Sequence, residues 1–587
     1  MITVGIDLGT TNSLVAAFID GKSTLIPNTH GEFLTPSVVG LDENGDILVG
    51  QSAKERLITY PELTTSLFKR HMGTDMKIKL GKKFFSPEEL SSFVIRQLLE
   101  DAKNFLGEDI DEAIISVPAY FNAKQRTATK LAGALSGVKV ERLVNEPSAA
   151  ALACRNWDED ETFIVFDFGG GTLDVSVVEA FDNVVNICSI SGNNFLGGTD
   201  FDHAIAEAAC NEYGIDIKKL STQDYQILLK AAESAKIELK NNNEAEVLAT
   251  VNGKKIVFPL TNNTLYQLST EIFERLKKPI QASVKDSGLG ASDIDKCILV
   301  GGSCHMPIVQ NYLSSLLSVP VANSGNLDHV VALGLGTYAG IKQREGDIKD
   351  LVLTDICPFS LNIGTHNESN PAKLLSHTMI QRNTALPTSH TEPFYTIRHG
   401  QTVVDFEISQ GEEFYADANT KLGKVSVQVP SNMKEFERVD ITFTYDINAI
   451  LAVQANVVST GAKKQLILSE KGLFTSDDQL EKYLETVQGL KLAHHKRIDF
   501  LLEKSKRIYT EIDEHLKPHM RDIIISLERF SKTGSIRKAN KGLDEFDEYL
   551  AMIEKNMRGN DIFKDKPAYL RLLENARSDD DDGEQDE

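Results

Sequence analysis

Two segments of this 587-residue chain combine aspartate, glycine and threonine at spacings that suit phosphate chemistry. The first is Gly5-Ile6-Asp7-Leu8-Gly9-Thr10-Thr11-Asn12-Ser13, and the second is Val165-Phe166-Asp167-Phe168-Gly169-Gly170-Gly171-Thr172-Leu173-Asp174. Glycine lets backbone amides approach a phosphate closely. Threonine hydroxyls donate to phosphate oxygens, and aspartate holds Mg2+ directly or through water. Apolar runs flank each segment: Ile2 to Ile6 and Leu14 to Ile19, then Phe163 to Phe166 and Val175 to Val178. Each is therefore expected to be a β-hairpin with a polar tip. Two such tips facing one another across a cleft would grip a nucleotide triphosphate from both sides. A lone Asp-x-Gly-x-Thr is ordinarily a surface turn, but two copies in matching strand contexts are far harder to obtain by chance. A third segment, Ile298-Leu299-Val300-Gly301-Gly302-Ser303, runs an apolar strand into a Gly-Gly turn where a cleft would accept an adenosine. Alone it would be an ordinary turn. Neither a Walker P-loop nor a Gly-x-Gly-x-x-Gly fingerprint is present, which disfavours those nucleotide folds.

Length and periodicity indicate which elements carry these loops. A chain this long exceeds one core, so two to four domains are expected. From residue 1 to about 345, strands alternate with helical stretches, the pattern of an α/β domain. Helices are expected over Pro87 to Phe105, Ala123 to Leu135, Ser148 to Arg155, Asp202 to Tyr213 and Leu265 to Ala282. Pro147 sits where a first helical position would fall, and Gly137 and Gly214 lie just past helix ends. A charged stretch from Glu345 to Asp355 then surrounds an apolar Leu351-Val352-Leu353. A plain spacer would be polar, so this linker is expected either to dock on a domain or to form an edge strand of the next one.

Beyond it the apolar period becomes two. Val404, Phe406 and Ile408 share a face, as do Val425, Val427 and Val429; Val439 to Tyr445 and Leu451 to Val457 repeat the pattern. Four alternating strands separated by turns make an antiparallel sandwich. After Thr475, a helix cap, the period lengthens, as in Leu480, Tyr483, Leu484 and Val487, and helix continues to about Ala576. The acidic tail from Ser578 to Glu587 is expected to be disordered.

The net charge of −23 argues against nonspecific nucleic-acid binding. Cysteines 154, 188, 210, 297, 304 and 357 are scattered without a Cys-x-x-Cys, which disfavours disulfides and zinc and suits a reducing cytosol. Met1-Ile2-Thr3-Val4 enters the first strand directly, with no signal peptide and no long apolar span, so a cytoplasmic protein away from membranes is expected.

Taken together the motifs resemble the seventy-kilodalton heat-shock chaperones of the DnaK type. The segments that carry the resemblance are Gly5 to Ser13, Val117-Pro118-Ala119-Tyr120-Phe121-Asn122, Asn145-Glu146-Pro147 continuing to Ala153, Asp167 to Thr172, Leu196-Gly197-Gly198-Thr199-Asp200-Phe201-Asp202, and Ile298 to Gly302. Their order covers nearly the whole chain. The resemblance implies an actin-like α/β ATPase domain over 1–345, a linker over 346–355, a β-sandwich peptide-binding domain over 356–474 and an α-helical lid over 475–577, with the tail at 578–587. By position, Asp7 and Asp167 would order waters around Mg2+. Gly9, Thr10, Thr11, Asn12, Gly169, Gly170 and Gly171 would cradle phosphate, with Thr172 at the γ-phosphate. Lys69 would hold the γ-phosphate and the attacking water, and Glu146 would help place that water. Outside the motif, Lys69 is one surface lysine among many and Glu146 a helix N-terminal carboxylate.

Around base and ribose the resemblance places Glu233 and Lys236 on one wall and Gly301, Gly302 and Ser303 on the other, flanked by Gly197, Gly198 and Asp328. Pro118, Arg126, Leu351, Leu353 and Asp355 match positions that relay nucleotide state, and Arg142, Asn145 and Asp355 lie near where J-domain partners dock. Ile363, Phe394, Val404 and Phe406 match apolar pocket positions, with His366 and Ile397 as an arch over the peptide. Each is equally plain sandwich core by pattern alone. The implied cofactors are ATP and Mg2+, with K+ as a further candidate ion; the implied partners are unfolded polypeptides and a J-domain co-chaperone of a monomeric chain.

Departures from the family pattern are local. Cys304-His305 stands where the family has Thr-Arg beside the adenine, and Lys240 replaces a small hydroxyl residue; both bear on nucleotide affinity more than on hydrolysis. Thr354 replaces an apolar linker residue. The stretches Met72 to Ser86 and Val251 to Asn262 are short, which implies a specialised bacterial paralogue similar to HscC, working without the housekeeping exchange factor. Two rival readings stay open at this stage: a small-molecule kinase sharing the two-loop cleft, and a filament-forming actin relative. The alternating strands after Asp355 weigh against both.

Overall fold

The computed structural model describes residues 2–156, 159–322, 325–343, 352–367, 369–370, 372–448, 450–468, 477–493, 497–512, 514–533 and 540–555. Its N-terminal half is built on two mixed sheets of the same plan. One runs Lys139–Asn145, Glu112–Val117, Thr3–Asp7, Asn12–Ile19, Lys22–Ile26, with the first three strands parallel and the rest a meander. The other runs Val321–Ala322, Lys296–Val300, Glu161–Phe168, Leu173–Phe181, Val184–Asn193 in the same sense. Each phosphate-type segment is the tip of the first hairpin of its sheet, as the flanking apolar runs require. Asp7 pairs with Leu14 across one ladder, and Asp167 with Asp174 across the other. The central strands Thr3–Asp7, Glu112–Val117 and Glu161–Phe168 are buried on both faces, because helices cover both sides.

The helices start and stop where side chains satisfy their free ends. Ser86 and Glu89 form a reciprocal capping box on Pro87–Leu106, and Asn122 and Gln125 do so on Ala123–Ser136. Gly137 ends the latter in the left-handed conformation (φ 88°). Three expected helices differ in extent. The one expected over Asp202 to Tyr213 begins four residues earlier and spans Gly198–Glu212. The helix expected from Ser148 spans Glu146–Cys154, with Pro147 in its second position, so Glu146 lies within its first turn. The one expected over Leu265 to Ala282 is two, Asn262–Leu268 and Thr270–Ser287; between them the Ser269 hydroxyl bonds the Leu265 carbonyl and interrupts the ladder.

The sandwich has two four-stranded antiparallel sheets. One is ordered Leu375–Ile380, Leu361–Thr365, Val403–Gln410, Thr420–Gln428; the other Thr388–Tyr395, Arg438–Tyr445, Leu451–Val457, Lys463–Ile467. Four strands beyond those expected are therefore present. Among the described linker residues, Val352–Thr354 neither floats nor joins the sandwich. It adds a parallel edge strand beside Val184, Val185 and Asn186 of the second N-terminal sheet. Leu351 lies outside the described residues, as do Thr475, the end of the expected helical region and the acidic tail.

Four C-terminal helices complete the described chain: Asp477–Gln488, Arg497–Glu511, Lys517–Thr533 and Asn540–Lys555. They do not lie over the sandwich. Leu480, Val487 and Leu492 share a core with the first lobe of the N-terminal half, and Ile47 exchanges backbone hydrogen bonds with Lys491 and Ala493. The next helix packs along Gln51–Thr59.

Candidate functional site

The two hairpin tips face each other and touch. A Cβ on Gly170 would come within 2.2 Å of Thr11 Cγ2, and one on Gly171 within 2.5 Å of Thr10 Cγ2. A Cβ on Gly197 would sit 2.3 Å from the Gly171 amide nitrogen. Glycine is thus favoured here by the Thr10 and Thr11 side chains packed against Gly171 and Gly170, and at Gly197 by the opposing backbone itself. The first tip is braced from within: Gly9 N donates to Ser13 Oγ (3.1 Å), and Ser37 Oγ donates to Gly9 O (2.7 Å). The second is braced by Gly169 N donating to Thr172 O (3.1 Å) and Ser303 Oγ donating to Gly169 O (2.7 Å).

Between the tips lies a concentration of buried charge. Lys69, only 3% exposed, donates to Glu146 Oε1 at 2.9 Å. It is delivered by a tight turn, Phe68–His71, that Leu67 enters at φ 59°. Three buried aspartates surround the pair. Burial and the nearby Glu146 push Asp7 up to about 7, against Lys69 and a 2.7 Å hydrogen bond from Ser116 Oγ. Burial, then Glu146, Asp174 and Asp7, hold Asp167 well above its ordinary value. Burial and Glu146 push Asp174 up to about 8. Its Oδ2 is buried without a hydrogen-bond partner. One ammonium facing four carboxylates leaves an excess of negative charge, which is the electrostatic setting for a divalent cation.

On the wall where the resemblance places the base, Lys236 Nζ reaches Asp202 Oδ1 (2.7 Å) and Gly198 O (3.0 Å), with Glu233 one turn earlier on the same helix, Thr222–Glu238. Gly301, at φ 85°, approaches Phe168 and Asp167, and Gly302 approaches Asp328. His305 Nε2 lies 3.3 Å from Asp328 Oδ2. Cys304 faces the other way: it is fully buried, and its Sγ donates to Val300 O at 3.0 Å. Only His305 of that pair therefore borders the cleft. Asn12 opens the second strand of the first hairpin, opposite Pro36.

Two groups with no role assigned from sequence belong to this cluster. Asp174 was legible, since it stands directly across the ladder from Asp167. Arg70 was not, because adjacency to Lys69 says nothing about direction. Its guanidinium crosses the cleft to Gly171 O (3.1 Å), Thr199 Oγ1 (3.0 Å) and Asp200 Oδ2 (3.2 Å).

The cleft connects to the sandwich through the loop after Glu112–Val117. Pro118 starts it, and the buried Arg126 holds it by donating to Ala119 O (3.1 Å), Phe121 O (3.1 Å) and Asn145 Oδ1 (2.7 Å). Asn145 precedes Glu146, so one guanidinium ties the loop to the base of the charged pair. Tyr120 N donates to Asp174 Oδ1 (2.9 Å), and the Tyr120 ring lies 4.3 Å from that of Phe359 in the sandwich domain. Ala123 N donates to Gln410 Oε1 (3.0 Å) and Leu143 N to Asn448 Oδ1 (3.0 Å). Arg142 donates to Ile447 O and lies 4.0 Å from Asp355, whose Oδ1 accepts from Ser148 Oγ at 2.5 Å. Leu353 packs on the core between strand and helix.

In the sandwich, Ile363, Val404 and Phe406 are buried in one cluster, with Phe394 packed against it and its ring 5.8 Å from that of Phe406. His366 and Ile397 are exposed on loops that follow two strands, Ile397 at 53%. Tyr395, Val403, Met433 and Phe436 are exposed as well.

Two hairpin tips on duplicated sheets, meeting across a charged cleft and joined to a sandwich and a helical bundle, define a two-lobed α/β module with two appended domains. The chain matches the family model described as "Hsp70 protein" over residues 3–562. It is 39% identical over 526 residues to the "Chaperone protein DnaK" of Methanothermobacter thermautotrophicus, covering 86% of this chain and 87% of that one. It belongs to the Hsp70 family: it is an ATP-dependent molecular chaperone, and its enzymatic activity is ATP hydrolysis. The match runs through the sandwich and into the helical region, which sets the kinase and filament readings aside. The family in general binds ATP with Mg2+, takes unfolded polypeptides as clients and works with J-domain co-chaperones. Among the described residues no helix is long and apolar enough to cross a membrane.

Proposed function

We propose that nucleotide state in the cleft sets the affinity of the sandwich for extended apolar segments of unfolded polypeptide, within the domain limits 1–345, 346–355, 356–474 and 475–577. The tip glycines with Thr10, Thr11 and Asn12 grip the phosphates, and Thr172 meets the γ-phosphate. Lys69 neutralises the transferring phosphoryl group and, with Glu146, positions the attacking water in line. Phosphoryl transfer needs such positioning and neutralisation more than a strong base. Mg2+ would be held through water by Asp7 and Asp167 and would neutralise phosphate charge there. The chemistry of the donor set fits: the carboxylates outnumber Lys69 and resist ionisation beside one another, a repulsion that a divalent cation would relieve, yet among the described residues no three metal-binding side chains converge to ligate an ion directly. Glu233, Lys236, Gly198, Gly301, Gly302, Ser303 and Asp328 hold base and ribose. K+ is proposed as a second ion.

The observation that carries this reading is Tyr120. Its amide is bonded to Asp174 in the cleft, and its ring rests on Phe359 across the domain boundary. A change of charge beside Asp174 is therefore felt one residue away from the sandwich. Val404, Phe406, Phe394 and Ile363 form the peptide pocket, with His366 and Ile397 over it; a backbone-bonded extended peptide would lie there. A J-domain partner docks near Arg142, Asn145 and Asp355. The short turn Asn252-Gly253, which joins Glu244–Val251 to Lys254–Thr261 directly, supports an HscC-like paralogue that works without the housekeeping exchange factor; the chain is further proposed to be cytoplasmic and monomeric.

Lys69→Ala and Asp167→Asn test the site. Both should reduce single-turnover ATP hydrolysis by about 100-fold or more while circular dichroism stays unchanged, since each removes transition-state neutralisation. Ordinary hydrolysis in either variant would remove that residue from the machinery.

A further inference from the structure

The helical bundle does more than rest on the first lobe. The helix Arg497–Glu511 lies along Gln51–Thr59, and Gln51–Thr59 in turn packs against Thr222–Glu238 of the second lobe. The bundle therefore sits on the seam where the two lobes meet. Three of its charges bridge that seam. Arg507, 3% exposed, donates to Glu55 of the first lobe and to Glu511 (2.9 Å), and pairs with Glu554 (2.9 Å). Glu511 and Glu554 both accept from Lys230 Nζ of the second lobe, at 3.1 Å and 2.7 Å. Alongside, the buried Arg56 donates to Glu503 at 3.2 Å. Against the upward push of burial, Arg507 and Lys230 hold the Glu554 carboxyl down to about 2, as a carboxylate fixed between two cations requires.

Lys230 occupies the same helix as Glu233 and Lys236, which face the base and ribose. Six residues separate Lys230 from Lys236, about 9 Å along the axis at 1.5 Å per residue. For a nucleotide to leave, this helix must swing away from the first lobe. While the bundle is seated, that swing pulls the Lys230 ammonium out of two carboxylates that Arg507 anchors to Glu55.

We propose that the C-terminal helices latch the nucleotide cleft shut, with Lys230 as the striker and Glu511 and Glu554 as the catch, so that nucleotide leaves only after the bundle lifts. The bundle then performs from within a task that an exchange factor would counter from outside. By linkage, bound nucleotide favours the seated bundle as much as the seated bundle retains nucleotide. This inference rests on the reading of the cleft as the nucleotide site.

The test is stopped-flow release of a fluorescent, non-hydrolysable ATP analogue with Mg2+ from the full chain, chased with unlabelled ATP. Lys230→Met and Glu554→Gln should each release about fivefold faster, the scale of a partly exposed ion-pair network. Lys230→Arg, which keeps the charge, should release at the wild-type rate. Wild-type release should quicken with added salt, whereas Lys230→Met should respond little, because the screened pair is already gone. Wild-type release rates in both Lys230→Met and Glu554→Gln would overturn the latch and leave the cleft assignment standing. Failure of the wild-type chain to bind the analogue at all would overturn both.

Discussion

Asp7, Asp167 and Asp174 are carboxylates whose ionisation the fold resists. Their folded-state values lie above the ordinary one, with Asp7 at about 7 and Asp174 at about 8, so the folded chain binds more protons than the unfolded chain across that interval. Stability must then fall as pH rises from about 4 to about 8. Mg2+ brought in with nucleotide should flatten the slope, because the cation beside the aspartates favours their ionised form even though the complex as a whole is anionic. Thermal unfolding of the free chain is accordingly expected to show a higher first transition at pH 5.5 than at pH 8, with the difference closed by Mg-ATP. Equal transitions in the free chain would show these groups already compensated. Asp174→Asn should raise the pH 8 transition of the free chain while weakening the effect of ATP on peptide binding, because Tyr120 loses its charged acceptor. At this scale the glycine and threonine tips were legible, since close backbone approach leaves a compositional mark. Lys69 was legible only by resemblance, because nothing local separates a buried lysine from a surface one. Arg70 was hidden altogether: its partners are more than a hundred residues away.

Four strands of the sandwich with one buried face showed themselves. Val403–Gln410, Thr420–Gln428, Arg438–Tyr445 and Leu451–Val457 alternate cleanly and were expected. Thr388–Tyr395 and Lys463–Ile467 are edge strands, polar and largely exposed, and their sequences carry no alternation to read. The linker strand is legible in part: its apolar centre predicts docking but not the sheet it joins. Its pairing with Val184 to Asn186 gives the element a defined role. Leu353→Asp places a charge in a packed site, so the strand should detach. Peptide affinity without nucleotide should persist, while the acceleration of peptide release by ATP should shrink to within about twofold of the nucleotide-free rate as the coupling is lost. Full acceleration in that variant would dissociate the strand from the coupling. In the proposed pocket, Val404→Phe adds volume to a buried site, an overpacking that costs about 1–3 kcal/mol. Peptide affinity should drop by about tenfold, with basal hydrolysis unchanged; an unaltered affinity would place Val404 outside the pocket.

Across the full chain, the arrangement is one of mutual contact. The sandwich meets the first lobe through Gln410, Asn448 and Phe359 and the second through Arg382, which pairs with Asp286 at 2.6 Å. The helical bundle lies on the lobes rather than over the sandwich, whose exposed Ile397, Val403, Met433 and Phe436 are left uncovered. Sequence order announced every module but none of these contacts, because the residues that make them lie far apart along the chain. On the reading proposed above this is a clamp held open by its nucleotide domain, since a bundle seated on the lobes is not over the sandwich to close on a peptide. ATP, by holding the lobes together, should favour this state and hence release. The central claim is therefore tested by following the fluorescence anisotropy of a labelled extended apolar peptide bound to the wild-type chain, before and after Mg-ATP is added. Peptide should leave at least about tenfold faster with ATP than with ADP, the span of an ordinary coupling free energy. Release at one rate under both nucleotides would contradict it.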